Sequence, residues 1–207
     1  MGIENYLAFL ITATLFVMTP GIDTMFVLNK SIGQGRKSGV YATLGINAGV
    51  LTHALIGALG LSVLIAKSAI AFTLIKYIGA VYLIYLGFIK LKTKKDLLAN
   101  VSIDNKKPKA KNDFWTGFLT NTLNPKVALF FLAFFPQFIN PEEIQNPVPF
   151  VLLGLTFAII GIVWYISLTI LASMFYERII NNPNIGSRLN KCSGVVFILM
   201  GLKIGST

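Results

Sequence analysis

A chain of 207 residues in which 55% are hydrophobic and only 13% charged, with a mean hydropathy of +0.71, is too apolar for a water-soluble domain. Its lone Cys192 cannot form an internal disulfide, and no Cys/His cluster has metal-site spacing, so neither a disulfide scaffold nor a metal or other cofactor is expected. The formal charge of +10 lies between apolar runs and not along one amphipathic face, which points to anionic lipid, and not nucleic acid, as the neighbour.

The first apolar run, residues 5 to 29, is long enough to cross a bilayer, because about 20 residues rising about 1.5 Å each span the hydrocarbon core. It lacks the basic start and small-residue cleavage site of a signal peptide, so it reads as a retained helix. Inside it stands Thr19-Pro20-Gly21-Ile22-Asp23. Pro20 has no amide hydrogen and frees the carbonyl of Phe16, and Gly21 relaxes the backbone at the same point. In lipid such groups must be met by protein, water or ligand. Asp23 is the run's only charge inside its ends, and an intramembrane carboxylate ordinarily faces a polar route.

The second run, 39 to 66, carries Gly45 and Gly49 in the small-xxx-small spacing of close helix pairs, together with Asn47 and, near its middle, His53. Both polar residues are candidate substrate or proton ligands; a hydrogen-bonded packing histidine is the competing reading for His53. The third run, 69 to 89, ends in the basic, Asn-containing stretch around Lys106-Lys107-Pro108-Lys109, which reads as a solvated linker over about 91–112. The fourth run, 114 to 139, repeats the interruption: Pro125 frees the carbonyl of Asn121 within Asn121-Thr122-Leu123-Asn124-Pro125-Lys126. A fifth run covers 148 to 175. A sixth, 188 to 205, crosses only if Lys191 and Lys203 snorkel.

Basic residues set the orientation. With the N-terminus outside, the inner segments collect Lys30, Arg36, Lys37, Lys90, Lys92, Lys94, Lys95, Lys106, Lys107, Lys109, Lys111, Arg178, Arg188 and Lys191, against Lys67 and Lys203 outside. Both termini are therefore expected outside. The expected fold is an all-α integral membrane protein of six transmembrane helices, forming one transporter domain over 1–207. It divides into a first half of about 1–90 and a second of about 113–207. Three spans per half make the halves inverted, with helices 1 and 4 broken, the plan of many secondary transporters. At about 1.5 Å per residue, Pro20 lies about 15 Å from Lys30 and Pro125 about 18 Å from Asp113, nearly one depth.

A lone charge at mid-bilayer costs about 2.5 to 3.5 kcal/mol or more, so Asp23 and Lys126 are expected to find each other or a ligand: a carboxylate for an ammonium, an ammonium for a carboxylate. Asn124 and the freed carbonyls complete the candidate site. The competing reading has Lys126 snorkelling to lipid phosphate and Asp23 capping its helix. An intramembrane enzyme would need a nucleophile-base pair or metal ligands, which one histidine does not supply. A structural subunit needs no paired breaks, and a channel is separable from a carrier by counterflow.

Taken in order, Thr19-Pro20-Gly21-Ile22-Asp23, Gly33-Gln34-Gly35-Arg36-Lys37-Ser38-Gly39, Gly45-Ile46-Asn47-Ala48-Gly49 with His53, Gly79-Ala80-Val81-Tyr82-Leu83, Gly117-Phe118 with Asn124-Pro125-Lys126, and Ser193-Gly194 with Gly201-Leu202 resemble the LysE/RhtB family of bacterial amino-acid exporters, nearest its homoserine/threonine branch. One departure is Ile22, where that family commonly has a second proline, so the first break is less rigid here. The resemblance implies efflux of a small amino acid or derivative across the bacterial plasma (inner) membrane with the proton as coupling ion. Lysine, leucine or a non-amino-acid solute are the alternatives, and a homo-oligomer is compatible with it.

Overall fold

The computed structural model describes residues 2–61, 69–92, 110–180 and 183–206. Every element among them is helical: α1 Tyr6–Met18, α2 Ile22–Gly33, α3 Arg36–Ile56, α4 Ala69–Lys92, α5 Ala110–Thr122, α6 Pro125–Leu129, α7 Pro147–Ile180 and α8 Pro183–Ser206. A π-helical turn, Gly57–Leu61, prolongs α3, and another, Phe130–Phe134, prolongs α6 before a 3₁₀ turn at Phe135–Phe138. Most of the linker expected at 91–112 lies outside the described residues, as does the end of the second run beyond residue 61.

The longest helices are apolar on most faces, and the molecule is arranged accordingly. Leu59 (71% exposed) and Leu123 (75%) stand on the outside with Ile70, Ile78, Val81, Ile159 and Val163, while Asp23, Asn47, His53, Asn121 and Asn124 are buried. The result is an apolar surface suited to lipid around a largely apolar interior that holds one polar cluster. Three stretches, Arg36–Gly60, Thr73–Lys92 and Pro147–Ala172, are long and apolar enough to cross a membrane singly. Two bent pairs make up to five: α1 with α2, turned by 55°, and the stretch Lys111–Thr122 with Pro125–Phe138, turned by 48°. Helix α8 has 24 residues, about 36 Å at the usual rise, but is more polar and is not among the five.

Close packing centres on two helix pairs, α3 with α5 and α4 with α8. Glycine makes both approaches possible. A methyl group at Gly45 would run into the Phe114 carbonyl, and one at Gly49 would sit 2.8 Å from the Asn121 side chain. In the other pair, methyls at Gly87 and Gly194 would each come within 2.7 Å of the facing glycine's carbonyl. The small-xxx-small spacing in the second run thus serves packing, and it brings α3 against the fourth run just where that run breaks.

At the end of the bundle where α1 starts, the chain before α1 is tied to the segment after Phe138: Glu4 donates its amide to the Phe138 carbonyl at 2.8 Å, and Asn140 donates to Gly2 at 2.9 Å. Beneath this knot Phe9, Phe130, Phe131, Phe134, Phe135, Phe138 and Phe157 form a buried aromatic cluster, with Phe9 set edge-on to Phe135 and Phe138 at 5.3 Å between centroids. At the opposite end Lys30 of α2 and Asp113 of α5 form an ion pair of 2.6 Å.

Candidate functional site

Both proline breaks end one helix and begin another. Asn124 and Pro125 start α6 with the residues such a start favours, since proline at the first helical position lacks only a hydrogen that would be unpaired anyway. The Asn124 side-chain oxygen accepts from the Lys126 amide at 3.0 Å. With its oxygen so engaged, the Asn124 amide nitrogen turns the other way and donates to Asp23 Oδ1 at 3.2 Å. Asn121 Nδ2 donates to Asp23 Oδ2 at 2.8 Å. Asp23, 6% exposed, lies in the first turn of α2, where a helix's positive end also favours a carboxylate.

The two carbonyls freed by proline are each met from the opposite half. The Asn121 carbonyl lies 3.2 Å from His53 Nε2 on α3; a carbonyl only accepts, so that nitrogen carries the hydrogen. The His53 ring also stacks on Phe131 at 5.7 Å. In the other direction Lys126 Nζ donates to the Phe16 carbonyl at 3.2 Å and to the Thr19 carbonyl at 3.0 Å. The same ammonium lies 4.3 Å from the ring centre of Phe16 and 5.0 Å from that of Phe197 on α8.

Asp23 and Lys126 therefore sit in one cluster but do not form the direct ion pair expected of them; Asp23 is held by two amides and Lys126 by two carbonyls. Asn47 donates to the Thr43 carbonyl of its own helix at 2.8 Å and presses its side-chain oxygen onto Gly161 of α7. It shares with Asp23, Asn121, Lys126 and Tyr165 the wall of a void of only about 10 Å³, room for no more than one water.

A larger cavity, about 520 Å³, begins at the breaks. Pro20, Gly21, Ile22, Asn124, Pro125 and Lys126 form its deep end, Met25, Phe26, Tyr82, Leu86, Thr120 and Phe197 its sides, and Asn29 and Lys90 its far end. Lys126 borders both spaces. Asp23 borders only the small one. Among the described lining residues the large cavity has two cations, Lys126 and Lys90, and no carboxylate. Of the residues singled out from sequence, Pro20, Gly21, Asn124, Pro125 and Lys126 line it; Asp23 and His53 stand behind them, and Asn47 lies across the small void.

Two broken helices whose freed backbone carbonyls are met by side chains of the opposite half, next to a cavity and inside a shell of lipid-compatible helices, define a multi-pass membrane protein of the transporter class. The chain belongs to the LysE type translocator family, whose profile matches residues 14–207. An uncharacterized membrane protein of Vibrio cholerae serotype O1 is 34% identical, with 100% of this chain and 98% of the relative covered. The uncharacterized membrane protein YrhP of Bacillus subtilis is also 34% identical over 98% of this chain and 99% of its own length. A leucine efflux protein of Klebsiella pneumoniae is 32% identical over 95% and 92%. No solved structure matches.

Proposed function

We propose that this translocator exports a small neutral amino acid, and that the structure is inward-facing. The observation that carries the reading is the cavity of about 520 Å³ that starts at both helix breaks and runs to Lys90, beside the basic segments that sequence assigns to the cytoplasm. The buried phenylalanine cluster from Phe9 to Phe138 stands between the breaks and the other end. In this reading both termini are outside, α8 is the sixth span, and the halves 1–90 and 113–207 are inverted about the breaks.

The wall chemistry narrows the solute. Two cations and no carboxylate suit a solute with a carboxylate of its own and oppose one with a second ammonium, such as lysine. Ile22, Met25, Phe26, Leu86 and Phe197 suit an aliphatic side chain, at about 25 cal/mol per Å² of apolar area covered. The Klebsiella pneumoniae relative, named a leucine efflux protein, agrees with that preference. A leucine-like solute therefore fits better than the homoserine or threonine that the sequence motifs suggest. Asp23, enclosed between two amide donors and not on the cavity wall, is the residue we assign to the coupling proton.

The test is counterflow in liposomes containing the purified protein, loaded in turn with leucine, threonine, homoserine and lysine. Accumulation of labelled leucine well above threonine and homoserine, with lysine at background, is the expected result. Equal accumulation of all four would contradict the wall argument, and passive equilibration without counterflow would identify a channel.

A further inference from the structure

Resting on that exporter reading, we infer that the Phe16 and Thr19 carbonyls beneath the rings of Phe16 and Phe197 are the ammonium site of the carrier, and that Lys126 is a tethered occupant holding it while no substrate is bound. Pro20 removes the amide that would have bonded Phe16 in a continuing helix and α1 stops at Met18, so the Phe16 carbonyl keeps only the Thr19 amide at 3.2 Å and has capacity for a second donor, and the Thr19 carbonyl lies beyond the helix end. Two acceptors and two aromatic faces around one point are the requirements of a primary ammonium, and Lys126 Nζ meets all four at 3.2, 3.0, 4.3 and 5.0 Å. Nothing in that set depends on the lysine stem. The ammonium of an amino acid meets the same requirements.

Without Nζ the Phe16 carbonyl keeps the Thr19 amide at 3.2 Å, but the Thr19 carbonyl loses its donor, and a bare carbonyl is costly in the membrane interior, so a carrier that releases its substrate needs something in its place before it can reorient. Lys126 comes from the opposite half, on α6, and its own helix is capped independently by Asn124, so its side chain can leave without unravelling its backbone start. Room to leave is present. Lys126 itself lines the cavity of about 520 Å³, as does Gly21 beside it. An arriving solute ammonium replaces Nζ on the two carbonyls, and the displaced Lys126 ammonium is left facing the solute carboxylate.

The consequence is a division between two modes of transport. Exchange of external for internal solute keeps the site filled by substrate and does not need the tethered cation. Net efflux returns the carrier empty and does. Wild type, Lys126→Ala and Lys126→Gln are reconstituted in liposomes and assayed with labelled leucine for net efflux into solute-free buffer and for exchange at saturating external leucine.

In both variants the ratio of exchange to net efflux should rise at least about tenfold over wild type, the exchange itself needing more leucine for half-saturation because a carboxylate contact is gone. n-Propylammonium on both sides, which replaces the atoms that Lys126→Ala removes, should restore net efflux to that variant. With an active wild type, both modes falling together in monodisperse variants, both remaining at wild-type ratio, or failure of the amine to restore efflux would overturn the inference alone. A wild type inactive in both modes toward every amino acid tried would overturn the exporter reading and this inference with it.

Discussion

The two helix breaks look alike in sequence and are built differently. The second is capped by a side chain: Asn124 caps α6, Pro125 occupies its first turn, and the freed Asn121 carbonyl receives both the Asn124 amide at 2.9 Å and, from the other half, His53 Nε2. The first is not. Gly21 precedes α2 with no side-chain cap; the Phe16 carbonyl receives the Thr19 amide at 3.2 Å and Lys126 Nζ, and the Thr19 carbonyl is met by that cation from the other half. One break carries its own asparagine cap, and the other is completed by a cation that also borders the cavity.

Asp23 ties the two together, and removing its charge is the largest perturbation of the comparison. Hydrogen bonds to a charged group contribute about 1.5–3 kcal/mol. Asp23→Asn weakens both and replaces one acceptor oxygen by an NH2, so that whichever way the new amide is turned it presents a donor to one of the two amide donors. Loss of gradient-driven export and a clear fall in melting temperature of the detergent-solubilised protein are expected; full export would remove Asp23 from the coupling step. Next in size is Asn124→Ala, which strips the second break of its cap, worth about 0.5–2 kcal/mol, and of one donor to Asp23. It should lower stability and export together, and near-wild-type behaviour in both would show that the second break does not depend on this cap.

His53→Ala leaves the Asn121 carbonyl with the Asn124 amide alone and opens space beside Phe131. A loss of about 1–3 kcal/mol is expected, with export retained at reduced rate, because His53 supports the second break and does not line the cavity. Complete loss of export at normal stability would instead place His53 in the proton route. The smallest effect is the reverse one. Ile22 holds the first helical position of α2, the place Pro125 holds in α6, so Ile22→Pro should stiffen the first break and stabilise the protein by about 0.4–1 kcal/mol. Slower net efflux with unaltered binding would sharpen the distinction between the two breaks.

The two breaks were legible in sequence because proline has one physical consequence, the loss of an amide, at a countable position. The partners of the freed carbonyls were not legible. That Lys126 reaches the Phe16 carbonyl, and His53 the Asn121 carbonyl, depends on how the halves pack, and the Asp23–Lys126 pair expected from charge alone lost to backbone carbonyls nearer at hand. Asn121 stood in the quoted motif, three residues before Asn124, yet only its carbonyl drew notice. Phe197 carried no local signal on α8, and Tyr165 none on α7. The glycines of α3 read correctly as packing residues since their spacing alone implies close approach, and the long helices followed from uninterrupted apolar runs.

The central claim, that the second break holds the carboxylate of the first, has a direct measurement: thermal unfolding of purified Asp23→Asn, Asn124→Asp and the double exchange Asp23→Asn/Asn124→Asp. Asn124→Asp alone sets two carboxylates together and should be the least stable. The double exchange restores one carboxylate and one amide to the same place, and aspartate also caps helices well. Contacting residues couple by about 0.5–3 kcal/mol, so the double variant should regain at least half of the melting-temperature loss of either single change. A double variant that loses as much as the two singles added together would show that Asp23 and Asn124 act independently, and would contradict the account.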